Sequence, residues 1–222
     1  MPSFEQIAQQ IQSYQEAGKT LFLSSSFQTH SIPLLHMISR IDDSIPVYFL
    51  QTGYHFPETI RFRDEVASQL GIQIRSVAST TPRIMQLNEK GNLLYTSDPD
   101  YCCYLNKVAP MEPLLDQFDV WINGVRGDQN DNRASFTVEQ PTHRKAVRYH
   151  PVIDWTQKMI WDYIAQFDLP THPLDMQGYV SIGCEPRTRR ADLTLLSHER
   201  GGRWFGMQKT ECGLHTELIE KK

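Results

Sequence analysis

The sequence predicts one α/β domain built around an open, mostly parallel sheet. Short apolar runs alternate with amphipathic segments between residues 4 and 77, and each connection between the runs is long enough to contain a crossover helix. The chain has 222 residues, of which 40% are hydrophobic, so it can bury a core of ordinary size without a disulfide scaffold.

The first elements are predicted from hydrophobic spacing. Apolar side chains recur every three or four residues over 4–17, which predicts an opening helix, and the apolar run 20–23 predicts the first strand. The segment 32–41 predicts a second helix, because Pro33 is tolerated in a first helical turn. A second buried strand is predicted over 46–50.

The next elements continue the alternation. A helix over 57–70 stops at a glycine and precedes a third strand over 72–77. After a polar connection over 91–101, a helix is predicted over 102–118 and a strand over 119–126.

The last predicted element is an amphipathic helix over 155–167. Beyond about residue 170 the sequence becomes irregular and rich in proline and arginine. We therefore divide the chain into an α/β domain, 1–170, and a C-terminal segment, 171–222, that belongs to the same functional unit.

Composition and charge argue against several classes of protein. Acidic residues outnumber basic ones by 26 to 22, and the formal net charge of −4 argues against nucleic acid as the partner. The sequence contains no apolar run long enough for a membrane span. The polar N-terminus lacks the apolar stretch of a secretory signal, so we expect a cytoplasmic protein.

Four cysteines, Cys102, Cys103, Cys184 and Cys212, carry most of the functional information. So few cysteines in a chain without a secretory signal indicate metal binding or catalysis before structural disulfides. Cys102 and Cys103 are adjacent in sequence, and neighbouring cysteines seldom pair with each other because the geometry strains the bond.

A serine-rich turn, 24–31, follows the first predicted strand and precedes a helix. Small residues there let backbone N–H groups approach an anion, and the helix N-terminus adds a favourable dipole. An ordinary turn with an N-cap explains the same composition equally well. No Gly-Lys-Ser/Thr follows, so the turn is not a Walker motif and ATP hydrolysis is not implied.

Positive charge gathers in two places. Arg126 and Arg133 follow the fourth predicted strand, where two guanidinium groups can hold phosphate or sulfate; a solvated loop is the alternative. Residues 183–209 carry six basic and three acidic side chains. This excess of positive charge suits a small anionic ligand, or else the stretch forms a solvated tail.

Cys212 follows this stretch. Cationic surroundings lower the pKa of a thiol and make its thiolate a nucleophile.

An ordered set of motifs covers nearly the whole chain. The motifs are Ser24-Ser25-Ser26-Phe27, Thr52-Gly53 through Thr59, Cys102-Cys103 with Asn106-Lys107-Val108, Gly124-Val125-Arg126 with Gln129 and Arg133, Gly183-Cys184-Glu185-Pro186, Gly202-Arg203-Trp204, and Glu211-Cys212-Gly213-Leu214-His215. Together they resemble the assimilatory adenylyl-sulfate and phosphoadenylyl-sulfate reductases, a branch of the adenine-nucleotide α-hydrolase-like (PP-loop) fold. The last pentapeptide is the most specific motif.

The resemblance implies a nucleotide-binding domain and a mobile C-terminal segment that carries the nucleophile. The Cys212 thiolate would attack the sulfate sulfur, displace AMP, and leave a Cys-thiosulfonate that reduced thioredoxin, or glutaredoxin, converts to sulfite. Arg203 and His215 would assist at Cys212. The implied substrate-binding residues are Ser24, Ser25, Ser26, Thr52, Gly53, Lys107, Arg126, Gln129 and Arg133. A small anionic sulfonucleotide is the implied substrate, NAD, FAD and ATP are not expected, and a homo-oligomer is one expectation because relatives often assemble.

One position departs from the family pattern. Members that use unphosphorylated adenylyl sulfate hold a [4Fe-4S] cluster through an adjacent cysteine pair and a later Cys-x-x-Cys. Here Cys102, Cys103 and Cys184 occupy three ligand positions and Arg187, whose guanidinium cannot bind iron, occupies the fourth. Three outcomes are open: a cluster with an exogenous fourth ligand, an oxygen-labile or [3Fe-4S] cluster, or no cluster, with Arg187 supplying positive charge.

The retained cysteines and Lys107 favour the cluster-bearing lineage, which uses adenylyl sulfate, with its 3′-phosphorylated form as the alternative substrate. Gly127 stands where relatives often have a second basic residue, which removes one phosphate contact.

Two other classes of protein are open on this fold. A redox or iron sensor that no longer turns over has no need of the intact signature around Cys212, and an ATP-using adenylyltransferase needs a Gly-Gly-x-Asp-Ser pattern that the serine-rich turn lacks.

Overall fold

The computed structural model describes residues 3–190, 203, 211–216 and 218, and these contain one six-stranded sheet. The strands are β1 (Leu21–Ser24), β2 (Val47–Leu50), β3 (Ile74–Val77), β4 (Val120–Asn123), β5 (Glu139–Pro141) and β6 (Val147–Tyr149). Their order is β3-β2-β1-β4-β6-β5, and only β5 runs antiparallel to its neighbour. The predicted open, mostly parallel α/β sheet is confirmed.

Local sequence sets the helix boundaries. The first helix begins after Ser3, whose hydroxyl accepts from the backbone N–H of Gln6, and the third ends at Gly71, which adopts a left-handed φ of 66°. The helices are α1 (Phe4–Glu16), α2 (Ile32–Ile41), α3 (Pro57–Leu70), α4 (Leu94–Ser97), α5 (Pro99–Cys103), α6 (Ala109–Gln117), α7 (Asp131–Ala134) and α8 (Gln157–Gln166).

Helices cover the central strands on both faces of the sheet. In β1, Leu21 and Leu23 join the larger apolar cluster beneath α1, α2, α3 and α8, whereas Phe22 joins a second cluster with α6. The strands β2 and β4 alternate in the same way, because successive side chains of a strand point to opposite faces. Strands buried on both faces are apolar throughout, which is why these strands are easily predicted from the sequence.

The sequence does not predict the two short strands β5 and β6. Each of the two strands has three residues, β5 is a polar edge strand that ends in Pro141, and β6 carries Arg148 at its centre, so neither has a clear hydrophobic pattern. The expectation that 91–101 is only a polar connection is wrong, because this stretch contains α4 and the start of α5. The predicted helix over 102–118 is helical but is interrupted by a π-helical turn over Tyr104–Val108.

The described part of the C-terminal segment lies against the α/β domain. Leu174 and Ile182 pack on Phe56, and Leu218 is fully buried in the cluster beneath α6. Within 171–222 the structure describes 171–190, 203, 211–216 and 218, and most of the basic stretch 183–209 lies outside these residues. The predicted mobility of the segment stays a prediction. None of the described helices combines the length and apolar character that a membrane span requires.

Candidate active site

A pocket of about 180 Å³ opens at the carboxyl ends of β1, β2 and β4. The chain order reverses between β1 and β4, and such switch points leave a crevice for ligands at the carboxyl edge of a parallel sheet. Predicted site residues that line the pocket are Ser24, Ser25, Ser26, Thr52, Lys107, Gln129, Arg133, Cys184, Arg203, Cys212 and His215. One pocket thus joins the serine-rich turn, several cations and the predicted nucleophile.

The serine-rich turn forms one wall of the pocket. Phe27 adopts φ 55°, a conformation that costs energy in a bulky residue, and its fully buried ring packs on Phe49. Burial of the ring holds the turn in this shape. The Ser24 hydroxyl accepts from the Trp121 indole N–H at 2.7 Å, and Ser25 accepts from the Phe27 N–H at 3.1 Å. The turn presents small polar residues, which suits an anionic group.

A buried ion pair holds the residue before Cys212. The Arg133 guanidinium donates to both carboxylate oxygens of Glu211, with N–O distances of 2.6 and 3.0 Å. The same carboxylate accepts from Asn130 at 3.1 Å and from the backbone N–H of Cys212 at 2.9 Å. Arg133 and Glu211 are 6% and 4% exposed, so water scarcely screens the pair. Arg133, on α7, therefore fixes the position of Cys212 through Glu211.

The surroundings of Cys212 favour its thiolate. The Cys103 thiol donates a hydrogen bond to the Cys212 sulfur, which is the largest cause that holds the pKa of Cys212 well below its ordinary value. Burial opposes this shift, and the charge of Lys107 adds to it. Burial also acts to lower the pKa of Lys107, but the cysteine sulfurs around it raise that pKa. A thiolate and an ammonium thus stabilise each other in the pocket wall.

Lys107 owes its position to the π-helical turn Tyr104–Val108. Such turns insert one extra residue into a helix and occur frequently at functional sites. Asn106, in the same turn, exchanges two hydrogen bonds with the buried amide of Gln86, at 2.7 and 2.9 Å. This pairing anchors the turn, and hydrophobic periodicity gives no sign of it.

Arg203 reaches the pocket past Gly183. The backbone of Arg203 bridges to Thr188, and its Nε donates to the carbonyl oxygen of Arg187 at 3.3 Å. A Cβ at Gly183 would lie 2.1 Å from the Arg203 guanidinium, so the guanidinium occupies the space that a side chain at this position would fill. Burial lowers the pKa of Arg203, yet a guanidinium keeps its proton in proteins. The site therefore holds a second fixed cation.

His215 is oriented by Arg148, a residue that sequence reasoning missed. Arg148 Nη2 lies 2.7 Å from His215 Nδ1, and a guanidinium only donates, so Nδ1 accepts and the ring proton lies on Nε2. Arg148 is fully buried, 4.8 Å from the Trp121 ring and 5.2 Å from the Phe136 ring. The available signal was one charged residue inside the apolar stretch 146–149. The signature around Cys212 contains Glu211, but the sequence alone does not indicate its pairing with Arg133.

Two predicted substrate residues, Gly53 and Arg126, do not line the pocket. Arg126 is fully buried, its Nε donates to Asp128 at 2.9 Å, and its Nη1 lies 2.9 Å from His30 Nδ1. Gly53 adopts φ 74°, and its carbonyl accepts from Arg83 at 2.8 Å. These contacts brace the loops after β4 and β2, and direct substrate binding by the two residues stays a prediction.

The three candidate cluster ligands line one small cavity behind the pocket, together with Arg187. They are Cys102, Cys103 and Cys184. The cavity measures about 20 Å³, which is room for a single water molecule. Lys107 contributes to its wall as well. The four positions that the family resemblance groups as ligand positions thus line one space, which is much smaller than an iron–sulfur cubane.

The three sulfurs have different neighbours. Cys102 accepts from the Asn106 amide at 3.6 Å, Cys103 donates to Cys212, and the Cys184 sulfur lies 3.6 Å from the Thr52 hydroxyl. Among the described residues, no three His, Cys, Asp or Glu side chains converge as a metal ion requires. A cubane takes four thiolates, and the fourth position holds a guanidinium without a lone pair for iron. The residues present do not fit a four-thiolate cluster.

Comparison with known proteins identifies the family. Residues 20–190 match the phosphoadenosine phosphosulfate reductase domain model. The chain belongs to this family. The reductase is therefore an oxidoreductase that acts on a sulfur group, and its resemblance to this family, predicted from the motifs, is confirmed.

Relatives align over most of the reductase. A phosphoadenosine 5′-phosphosulfate reductase of Gloeobacter violaceus is 38% identical over 200 residues, covering 89% of this chain and 83% of the relative. An adenosine 5′-phosphosulfate reductase of Chelativorans sp. is 38% identical over 196 residues, covering 88% and 79%. Adenosine 5′-phosphosulfate reductase 1 of Bacillus subtilis is 37% identical over 204 residues, covering 91% and 87%.

Solved structures share the fold of the reductase. A phosphoadenylyl-sulfate reductase from Candida auris superposes with a TM-score of 0.63 at 22% identity, covering 75% of this chain and 81% of the other. The FMN adenylyltransferase of Candida glabrata gives 0.58 at 14% identity, covering 77% and 54%. A tRNA thiolase from Methanococcus maripaludis, solved with its [4Fe-4S] cluster, gives 0.53 at 13% identity, covering 70% and 58%. These likenesses support the predicted adenine-nucleotide fold.

Proposed function

We propose that this reductase converts adenylyl sulfate to sulfite and AMP. The observation that carries the proposal is the Cys212 sulfur, which lines the pocket beside Lys107 and Arg203 and has a lowered pKa. The thiolate attacks the sulfur of the bound sulfate group, and the bond between that sulfur and the bridging oxygen breaks. The electron pair leaves on the AMP phosphate, and a thiosulfonate remains on Cys212.

The cations of the pocket make this attack electrostatically possible. A thiolate and a sulfate group repel each other, and the repulsion is stronger in a partly buried site than in water. Lys107 and Arg203 offset that charge at fixed positions, so no reorganisation is needed when the sulfur–sulfur bond forms. His215 contributes an N–H donor at Nε2, and the serine-rich turn binds the anionic phosphosulfate.

The loop after β4 favours adenylyl sulfate over its 3′-phosphorylated form. Arg126 is committed to Asp128 and His30, and Gly127 offers no side chain for a second phosphate. Two of the three relatives described above are named adenosine 5′-phosphosulfate reductases, and the third carries the phosphoadenosine name. The 3′-phosphorylated nucleotide is thus the alternative substrate for the same thiol chemistry.

Sulfite release from the two nucleotides, measured side by side, tests the substrate. With a dithiol protein of the thioredoxin class as reductant, we expect kcat/KM to be about tenfold higher for adenylyl sulfate, equivalent to about 1.4 kcal/mol. The reason is the missing cationic contact for a 3′-phosphate. Equal values would contradict the preference, and reversed values would make the 3′-phosphorylated nucleotide the substrate; both would leave the role of Cys212 intact.

The reductant that we propose is thioredoxin, or glutaredoxin, acting in the cytoplasm. The reaction lowers the oxidation state of sulfur by two electrons, and a protein dithiol supplies both electrons in becoming a disulfide. This requires neither a nicotinamide nor a flavin. A homo-oligomer remains a prediction from the family resemblance.

We further propose that the reductase works without a four-thiolate cluster, and Arg187→Cys tests this. Protein prepared without air should contain little iron, whereas the variant, with a fourth thiol at the cavity, should gain iron, sulfide and visible absorption. Arg189→Cys, an exposed arginine two residues away, is the matched control and should gain none. Four iron atoms per wild-type chain would contradict the proposal.

A further inference from the structure

Two of the four cysteines touch each other. Cys103 donates a hydrogen bond to the Cys212 sulfur, and the two side chains pack together with Leu214 against them. They are 7% and 6% exposed. The contact joins the last residue of α5 to the segment 211–216, which lies more than one hundred residues later in the sequence. The family reaction as described above assigns this contact no function.

Cys103 and Cys212 contact each other but line different spaces. Cys212 lines the large pocket and Cys103 does not, whereas Cys103 lines the small cavity behind it and Cys212 does not. Displacement at sulfur requires the attacking atom to stand opposite the leaving group. A sulfonate on Cys212 extends into the pocket, whereas Cys103 contacts Cys212 from outside the pocket lining.

We propose that Cys103 is a second catalytic thiol, which resolves the Cys212 thiosulfonate; this rests on the function proposed above. The Cys103 sulfur attacks Cys212, a Cys103–Cys212 disulfide forms, and the bond from Cys212 to the sulfonate sulfur breaks. Sulfite leaves into the pocket with the electron pair and takes the Cys103 proton as bisulfite. A protein dithiol of the thioredoxin class then reduces the disulfide, supplying two electrons and two protons.

Proximity favours this route over direct attack by the reductant. Cys103 is already in contact, and a reaction within one chain gains an effective concentration far above that of any dissolved protein. Arg187 supports the assignment, because without a fourth thiolate Cys103 is not committed to iron.

A single turnover without reductant tests the step. Reduced enzyme, freed of reductant and air, is mixed with excess adenylyl sulfate, and AMP, sulfite and peptide masses are measured against a sample without nucleotide. We expect one AMP and one sulfite per chain, and a Cys103–Cys212 peptide that has lost two hydrogens. In Cys103→Ser we expect one AMP, at least tenfold less sulfite, and an SO₃ group retained on Cys212. Tyr101→Phe, at an exposed position of the same helix, is the control and should behave as wild type.

The outcomes separate this step from the reaction itself. Wild-type enzyme that releases AMP but keeps SO₃ on Cys212, with sulfite appearing only when reductant is added, would overturn the role of Cys103 and leave the proposed function intact. No AMP from any variant would overturn both. The wild-type peptide map decides the question even where Cys103→Ser fails to fold.

Discussion

Cys212→Ser is expected to abolish sulfite release while nucleotide binding survives. A serine hydroxyl is not ionised at neutral pH, and neither Cys103 nor Lys107 can make it the equal of a thiolate. The serine-rich turn and the cations that hold the nucleotide are unchanged. Removing a nucleophile costs on the order of 10⁶-fold in other enzymes, so the residual rate should lie below detection.

Sulfite assay and calorimetric nucleotide titration measure the two effects separately. Cys102→Ser serves as the control, because Cys102 is a buried cysteine that lies outside the pocket lining and accepts from Asn106. It should keep wild-type activity to within a few-fold. Undiminished sulfite production by Cys212→Ser would refute Cys212 as the nucleophile.

Glu211→Gln is expected to reduce both stability and activity. The substitution keeps the shape of the side chain but leaves the Arg133 guanidinium, 6% exposed, without its counter-charge. Breaking a buried pair from one side costs about 3–5 kcal/mol. The same change weakens the acceptor for the Cys212 backbone N–H, so the nucleophile loses its fixed position and kcat falls by about 100-fold or more.

Denaturant unfolding and sulfite release measure these effects. The matched control is Glu112→Gln, which breaks a partly exposed pair with Arg144 at 3.1 Å and should cost less than about 1 kcal/mol without changing kcat. A Glu211→Gln variant as active and stable as Glu112→Gln would show that the Arg133–Glu211 pair has no part in positioning Cys212.

The sequence was sufficient to predict the elements whose pattern depends on burial alone. β1, β2 and β4 are apolar on both faces, so their hydrophobic runs indicate parallel strands directly. β6 was missed because the buried cation Arg148 interrupts its pattern, and that cation is stabilised by aromatic rings from elsewhere in the chain. Such compensation depends on tertiary neighbours that no local window contains.

The candidate site was predictable in its residues but not in their partners. The position of Arg126 after the fourth strand predicts a phosphate ligand, yet its guanidinium contacts Asp128 and His30. Cys102 and Cys103 are neighbours in sequence, but successive residues of a helix point about 100° apart, so one faces Asn106 and the other Cys212. Spacing identifies the cysteines, whereas only the fold assigns each a contact.

Time-resolved AMP release in the absence of any reductant tests the central claim most directly. If the Cys212 thiolate attacks the sulfate sulfur, mixing with adenylyl sulfate gives a rapid burst of one AMP per chain, after which release stops because the nucleophile is consumed. Cys212→Ser gives no burst. Continuous AMP release without reductant, or no AMP until reductant is added, would contradict the mechanism.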